Sequence, residues 1–374
     1  MSNGESPGLY IHVPFCRTKC PYCDFYSVTS LSLIPDWLDG LRKEAVFYKD
    51  HFAAFDSIYL GGGTPTLLAE HELAALMDCL FNNFTFSPDT EITIEANPDD
   101  ITLDKLGVLR GIGVNRISFG VQSFDDKELQ YLRRRHTAPE SELALEQIRA
   151  CGFTNVGLDL MYGFEGQTEA GWVQTIKRAL DFRPEHLSCY QMTLEEGTPF
   201  GKMLAQGRMK LLGEEEEREF FLLTSRLLEK EGYIHYEISN FAMGKEYISR
   251  HNSKYWRHVP YLGLGPAAHS FREDVRWWNL GSIESYCKAL VYGKLPVAGS
   301  ETLSEEQHRL ESLYLGFRTS AGVDLELVRN QPRFDMILSE LQESGLVQVH
   351  MGRAIPTREG FLVADSLPLL FADW

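Results

Sequence analysis

Before position 195, short runs of branched apolar residues alternate with longer amphipathic stretches. This rhythm constrains the fold more than any other feature of the 374-residue chain. The short runs are Leu9–Val13, Ser57–Leu60, Glu91–Glu95, Arg116–Gly120, Asn155–Met161 and His186–Gln191. The stretches between them read as helices over Pro35–Lys49, His71–Phe84, Leu103–Arg110, Asp125–Arg134 with Pro139–Cys151, and Gln167–Asp181. Several open on a proline, an acid or a hydroxyl residue, as helix starts do. Such alternation builds a parallel sheet with helices outside it. Six units suit a partial, open (β/α)6 barrel, and a doubly wound open sheet is the alternative that the pattern leaves open.

After about residue 200 the rhythm changes. Glu214–Lys230 reads as one helix, its four leading glutamates placed where a helix N-terminus favours acids. Tyr233–Phe241 reads as a strand and His251–Ser270 as an aromatic, glycine-rich loop region. From about 303 the order is helix (Ser304–Arg318), helix (Phe334–Glu343), hairpin (Leu346–His350 with Ala354–Pro356) and a terminal helix, which resembles a winged-helix module. The expected division is 1–235 for the partial barrel, 236–300 for a linking region and 301–374 for an α+β winged-helix-like module.

Charge narrows the partners. The formal net charge is -17, and residues 301–374 hold six Lys and Arg against twelve Asp and Glu. Such a surface repels a phosphate backbone, so nucleic acid is not expected even from the winged-helix-like module. No apolar run approaches the roughly 18 residues of a membrane-spanning helix. Met1–Pro7 is polar and carries no signal-peptide core, so a cytoplasmic location is expected.

Three of the seven cysteines, Cys16, Cys20 and Cys23, fall within eight residues just after the first strand. The other four, Cys79, Cys151, Cys189 and Cys287, are scattered and read as small buried apolar residues. This distribution makes a poor disulfide framework and a good metal site. Iron–sulfur cubanes usually take four thiolates, one per iron, so three close cysteines leave one iron open. An open iron can chelate the amino and carboxylate groups of S-adenosylmethionine (SAM). Structural zinc is the rival; it wants four ligands, and although His12 could add one, a second paired set is missing. Other unusual residues also fall at strand ends: Gly61-Gly62-Gly63-Thr64-Pro65-Thr66 after the second, Glu95 on the third with Asn97-Pro98 just beyond, Gln122 after the fourth, Asp159 in the fifth and Tyr190-Gln191 ending the sixth. Parallel α/β folds build their sites on that rim.

The flanking residues sharpen this into a family. Leu9-Tyr10-Ile11-His12-Val13-Pro14-Phe15-Cys16 and Cys20-Pro21-Tyr22-Cys23-Asp24-Phe25 closely resemble the radical SAM branch that contains the oxygen-independent coproporphyrinogen III oxidases and the HemW-type haem chaperones. The resemblance continues through Tyr59–Thr66, Glu95–Pro98, Arg116–Phe124 and Asp159–Gly163, and covers essentially the whole chain, its last module being of the oxidase C-terminal type. It implies a [4Fe–4S] cluster on Cys16, Cys20 and Cys23. It also implies SAM contacts from Tyr10, Tyr22, Gly62, Gly63, Thr64, Glu95, Gln122, Arg134 and Asp159. Each has a plainer reading: the glycines as a simple turn, Glu95 as a cap or ion-pair partner, the tyrosines as core, Arg134 as part of a solvated helix face.

Two features separate the branch members. The oxidase type has a further cysteine as C-x-C, whereas here Cys23 is followed by Asp24 and Phe25. His251-Asn252-Ser253-Lys254-Tyr255-Trp256 matches the HNxxYW motif of the HemW type, followed by Tyr261-x-Gly263-x-Gly265 and Ala268-His269-Ser270. Haem needs an axial ligand, usually His, and an apolar wall. The resemblance assigns haem to His251, Asn252, Tyr255 and Trp256; unaided, a His beside Tyr and Trp is more often a hydrogen-bonded structural residue. The expectation is a haem chaperone that passes haem to an acceptor protein, with an electron donor as a further partner. The alternative is a radical SAM oxidoreductase acting on a porphyrinogen such as coproporphyrinogen III. Porphyrinogen oxidation is not expected, and SAM cleavage stays open.

Overall fold

Six strands, β1 (Gly8–Val13), β2 (Phe55–Gly62), β3 (Phe86–Ala96), β4 (Arg116–Gln122), β5 (Val156–Tyr162) and β6 (His186–Gln191), lie side by side in chain order. All their pairings are parallel. The computed structural model describes residues 5–371, so Met1–Gly4 of the polar N-terminus and the last three residues lie outside it. Helices Ile34–Tyr48, Glu70–Asn83, Leu103–Gly111, Asp126–Tyr131 with Ala138–Ala150, and Glu169–Asp181 make the crossovers. Their starts are set by local chemistry. Thr102, Asp125, Thr137 and Thr168 each accept a backbone N–H from the first turn, which satisfies a donor the helix cannot pair internally. The expected α/β class and six-unit parallel core are thus present.

The sheet extends beyond those six strands on both sides. β8 (Asn240–Ala242) pairs antiparallel with β6, and β7 (Ile234–Glu237) pairs antiparallel with β8 at the edge. On the far side, β9 (Tyr261–Leu264) pairs parallel with β1, and β10 (His269–Arg272), β11 (Val275–Asn279) and β12 (Val297–Thr302) continue it antiparallel. Among the described residues, twelve strands form this one sheet. Two sequence readings change here. Tyr233–Phe241 is a tight two-strand turn, because Glu237 Oε2 accepts from both Ser239 N and Asn240 Nδ2 and folds the chain back. His251–Ser270, expected as loop, contains helix Arg250–Trp256, capped by Ser249, and then β9 and the start of β10. Elements of four to seven residues are too short to show a hydrophobic period.

The last module has helices Glu305–Phe317 and Phe334–Glu343 and a small sheet of β13 (Val323–Asp324), β14 (Val347–His350) and β15 (Arg353–Pro356) in the order β13-β15-β14. β13 escaped the sequence reading because it is two residues long. Leu313, Phe317, Val323, Leu341, Val347 and Phe371 form a separate core here. The module meets the main sheet where Ser320 N donates to Tyr236 O and where Phe361 packs with Phe221. Among the described residues no helix is long and apolar enough to cross a membrane.

Candidate functional site

Side chains alternate across a strand, and in the six central strands the alternation sorts polar from apolar. Leu9, Ile11 and Val13, Ile58 and Leu60, Ile92 and Ile94, Ile117 and Phe119, Leu158 and Leu160, and Leu187 all join the main core. The opposite parity carries Tyr10 and His12, Tyr59, Glu95, Ser118 and Gln122, Asp159, and Ser188 and Tyr190. Tyr59, Glu95, Ser118, Gln122, Asp159 and Tyr190 line one cavity of about 580 Å³, together with Cys16, Cys20 and Cys23.

The cysteines sit on a loop that leaves and returns to the end of β1. Its base is closed by Cys16 N donating to Val28 O (3.0 Å) and Val28 N to Pro14 O (2.7 Å). Phe15 anchors it from below, buried edge-on against Trp37 at 5.6 Å between ring centres. The turn after β2 is tied to the same base: Gly63 N donates to Val13 O (2.8 Å) and Thr64 N to Phe15 O (2.7 Å). A Cβ on Gly63 would stand 2.6 Å from Phe15 O, and on Gly62, at φ +106°, 2.5 Å from the His12 ring. Only glycine allows the turn to lie this close to the cysteine loop.

A polar chain links two of the sulfurs. Thr64 Oγ1 donates to Cys16 Sγ (3.6 Å) and accepts from Asn97 Nδ2 (3.1 Å). Asn97 Oδ1 accepts from Arg134, which also donates to Gly120 O (2.9 Å) and to Cys20 Sγ (3.5 Å). Arg134 therefore points into the cavity wall and not to solvent, and its Nε is buried without a hydrogen-bond partner. Burial pushes the Cys16 and Cys23 thiols above their ordinary range. Among the described residues no three His, Cys, Asp or Glu side chains gather as ligands of a single ion. Thiolates spaced around a rim, each serving its own iron, suit a cubane better than mononuclear zinc.

Glu95 accepts from Tyr59 Oη (2.9 Å) and from Gly62 N (3.0 Å), one bond on each oxygen. Burial, and then the charge of Asp159, raise its carboxyl to about 7. Asp159 takes the Ser118 hydroxyl at 3.0 and 3.2 Å on its two oxygens, and burial raises it too. Ser118 stands beside Glu95 in the β3–β4 register. Gln122 ends β4 at a register shift with φ +67°, a backbone region that non-glycine residues rarely occupy. Tyr22 lines the cavity. Tyr10 does not; its hydroxyl donates to His12 Nδ1 (3.0 Å), whose Nε2–H donates to Tyr26 O (2.8 Å). Eight of the nine residues matched to SAM contacts thus share one cavity, and Tyr10 supports it from beneath.

Asn97 and Tyr190, expected on the strand-end rim by their positions past the third strand and on the sixth, line the cavity, as do Tyr59 and Ser118. For Tyr59 and Ser118, which have no individual role in the sequence reading, the available signal is the parity of polar residues within each apolar strand.

The HNxxYW segment lies elsewhere. Helix Arg250–Trp256 packs against the interior strands β1 and β2, and His251 is buried with Nδ1 hydrogen-bonded to Ser57 Oγ (3.0 Å) and Nε2 to Tyr255 Oη (2.8 Å). With both ring nitrogens taken, His251 offers no lone pair to a metal in this arrangement. Asn252 N serves the Ser249 cap (3.2 Å), and Trp256 meets Tyr236 edge-on at 5.9 Å. Of the four, Tyr255 lines a pocket of about 340 Å³.

Residues 10–179 match the radical SAM superfamily. The chain is 35% identical over 370 residues to heme chaperone HemW of Bacillus subtilis, covering 96% of this chain and 97% of that protein. It is 33% identical over 373 residues to heme chaperone HemW of Mycobacterium tuberculosis, covering 97% and 94%. A bovine mitochondrial protein, radical S-adenosyl methionine domain-containing protein 1, is 30% identical over 391 residues, with 98% and 87% covered. Among solved structures, coproporphyrinogen III oxidase (HemN) from Escherichia coli superposes with a TM-score of 0.83 at 25% identity, over 98% of this chain and 90% of that one. Aligned from end to end with such relatives, the chain belongs to the HemW family of the radical SAM superfamily.

Proposed function

We propose that this protein is a haem chaperone: it binds haem and passes it to an acceptor protein, on a scaffold that also holds a [4Fe–4S] cluster and SAM. The near-complete match to proteins named heme chaperone carries this reading. Cys16, Cys20 and Cys23 would hold the cluster, and Arg134 and Thr64 would donate to its sulfur ligands. Glu95 would take the ribose hydroxyls of SAM, with Tyr22, Gly62, Gly63, Gln122 and Asp159 around it and Tyr10 behind. When bound, cluster and SAM together supply a reducible sulfonium, and an electron donor is then a further partner. The chain's own residues orient the ligand, hold the buried carboxylates and exclude water from the cavity. A cytoplasmic location and the division at 235 and 300 belong to the same reading.

The oxidase reading has one observation in its favour, the close superposition on coproporphyrinogen III oxidase. Against it stands Phe25, 68% exposed at the cavity where that enzyme type carries a cysteine. The test combines two assays on the anaerobically reconstituted protein. Haem-loaded protein is mixed with a haem-free acceptor and transfer is followed by absorption, while coproporphyrinogen III is offered with SAM and a reductant. Transfer without porphyrinogen turnover is expected. Turnover without transfer would establish the oxidase and remove the chaperone.

A further inference from the structure

We infer that Asn97 is a positioning residue for the cluster: through Thr64 and Arg134 it aims one hydrogen-bond donor at each of two cysteine sulfurs, and so raises the cluster's reduction potential. The inference rests on the cluster reading proposed above and deepens it. Asn97 lines the cavity directly past β3. Its amide stands between two partners whose chemistry fixes its orientation. Arg134 can only donate, so the atom facing its Nη2 is Asn97 Oδ1. Nδ2 then faces Thr64 and donates to its Oγ1 at 3.1 Å. The Thr64 hydroxyl, accepting on that side, has its own proton free for Cys16 Sγ at 3.6 Å. Arg134, with Nη2 held by Asn97 Oδ1 and Gly120 O (2.9 Å), directs Nη1 at Cys20 Sγ, 3.5 Å away. One amide thus orders two donors on two different sulfurs.

The local backbone holds the amide in place. Pro98 restricts the residue before it to extended conformations, and Asn97 takes φ -108° and ψ 149°. Asn97 also caps the short 3-10 turn Pro98–Asp100, where an asparagine side chain ordinarily accepts from the first turn. Here it makes no such bond. Its side chain goes to Thr64 and Arg134 instead. Gly120 leaves the room for it, since a Cβ there would stand 3.1 Å from Asn97 Oδ1. Cys23 lies outside this arrangement; its donor is the backbone N–H of Phe25. Hydrogen bonds to the sulfurs are among the determinants of a cluster's potential. Taking up one electron adds negative charge that the thiolates share, so an aimed O–H or N–H stabilises the reduced form more than the oxidised one. The guanidinium charge of Arg134 acts in the same direction.

The test is a redox titration followed by electron paramagnetic resonance, with dithionite as reductant, of the full-length protein reconstituted anaerobically and kept free of SAM. Iron analysis checks that each variant is loaded. Thr64→Val should lower the midpoint potential, with a roughly 3–10-fold smaller reduced-to-oxidised ratio at fixed potential, tenfold being about 59 mV for one electron. Thr64→Ser keeps the hydroxyl and should keep the wild-type midpoint. Asn97→Ala should lower it at least as far as Thr64→Val, because it releases both donors. In the double variant the two shifts should not add, since Asn97 then has only Arg134 left to aim. Should Asn97→Ala take up too little iron, Asn97→Ser, too short to span both partners, is measured in its place and is expected to behave alike. Wild-type midpoints in fully loaded Thr64→Val and Asn97 variants would overturn the role of Asn97, as would shifts that add in full. A wild-type protein that takes up no iron would overturn the cluster reading itself.

Discussion

Replacing Glu95 with Gln should stabilise the ligand-free protein as the pH rises and weaken SAM binding at the same time. The carboxyl is buried and its folded pKa of about 7 stands above the ordinary 4.5. Between those values the folded chain holds a proton that the unfolded chain has released, so stability falls as pH rises through the window. A displacement of about 2.5 units corresponds to about 3 kcal/mol of lost stability above pH 7. Integrated from pH 5 to pH 8, Glu95→Gln should gain roughly 2–3 kcal/mol on the wild type. The amide cannot serve both Tyr59 Oη and Gly62 N as an acceptor. That loss costs about 1–3 kcal/mol, but it is the same at every pH and only offsets the curve. Asp159, also raised by burial, is one source of the Glu95 shift, so the pH dependence that Glu95→Gln removes belongs to the pair.

The same substitution removes a charged acceptor from the proposed ribose contact. A hydrogen bond to a charged group contributes about 1.5–3 kcal/mol, or roughly 10–100-fold in affinity. Wild-type SAM affinity should fall as pH drops below about 7, because the ionised carboxylate is a stronger acceptor for the ligand hydroxyls than the protonated acid. Glu95→Gln should bind weakly with a flat profile. Thermal midpoints of the ligand-free pair across pH 5–8, and equilibrium dialysis of SAM over the same range, measure both effects. A midpoint difference that does not change with pH would refute the burial argument. Equal SAM affinity would remove Glu95 from the site.

Three further outcomes are expected. Alanine at any of Cys16, Cys20 or Cys23 should abolish a content of about four irons per chain after anaerobic reconstitution, whereas serine at Cys151 or Cys287 should leave it unchanged, as read by iron analysis and absorption. Asn97→Ala leaves Thr64 Oγ1 and an Arg134 nitrogen without their shared partner; it should cost about 1–3 kcal/mol in unfolding free energy and lower cluster retention in a chelator challenge. Gly63→Ala places a Cβ against the carbonyls of Phe15 and Val13, at 2.6 and 2.8 Å. Iron incorporation should fall sharply there, while Gly107→Ala, with nothing within 4 Å, is neutral in the same assay.

The central strands were legible because each is long enough to alternate and is bounded by turn chemistry. The residues lining the large cavity were legible because they follow those strands in sequence. What escaped was short or depended on packing. β9 is four residues long, and nothing local says that it pairs parallel with β1. Arg134 follows Arg133 and precedes Arg135, so its sequence suggests a solvated face. Only the turn at Arg133, φ +52°, after helix Asp126–Tyr131, accompanies its aim at Gly120 and Cys20. His251 illustrates the other limit. A motif match names a segment, but which nitrogen of which residue is open to a ligand is decided by Ser57, from a strand almost two hundred residues earlier.

That strand also gives the HNxxYW segment a structural role that needs no ligand on His251. The His251 ring lies 5.2 Å from the Tyr59 ring, and Tyr59 Oη donates to Glu95. Across the helix, His251 Nε2 meets Tyr255 Oη, and the Tyr255 ring walls the pocket beside His258. The helix is thus wedged between the carboxylate shelf of the cluster cavity and the aromatic seam under the last module. Lys254, also buried, nails it down through Asp56 at 2.6 Å and the Ser6 carbonyl at 2.7 Å. A buried ion pair of this kind adds little net stability but fixes geometry, since losing either partner strands a charge. The segment's chemistry is then that of a brace: Ser57, His251 and Tyr255 tie the wall of the large cavity to the pocket under the last module from the interior.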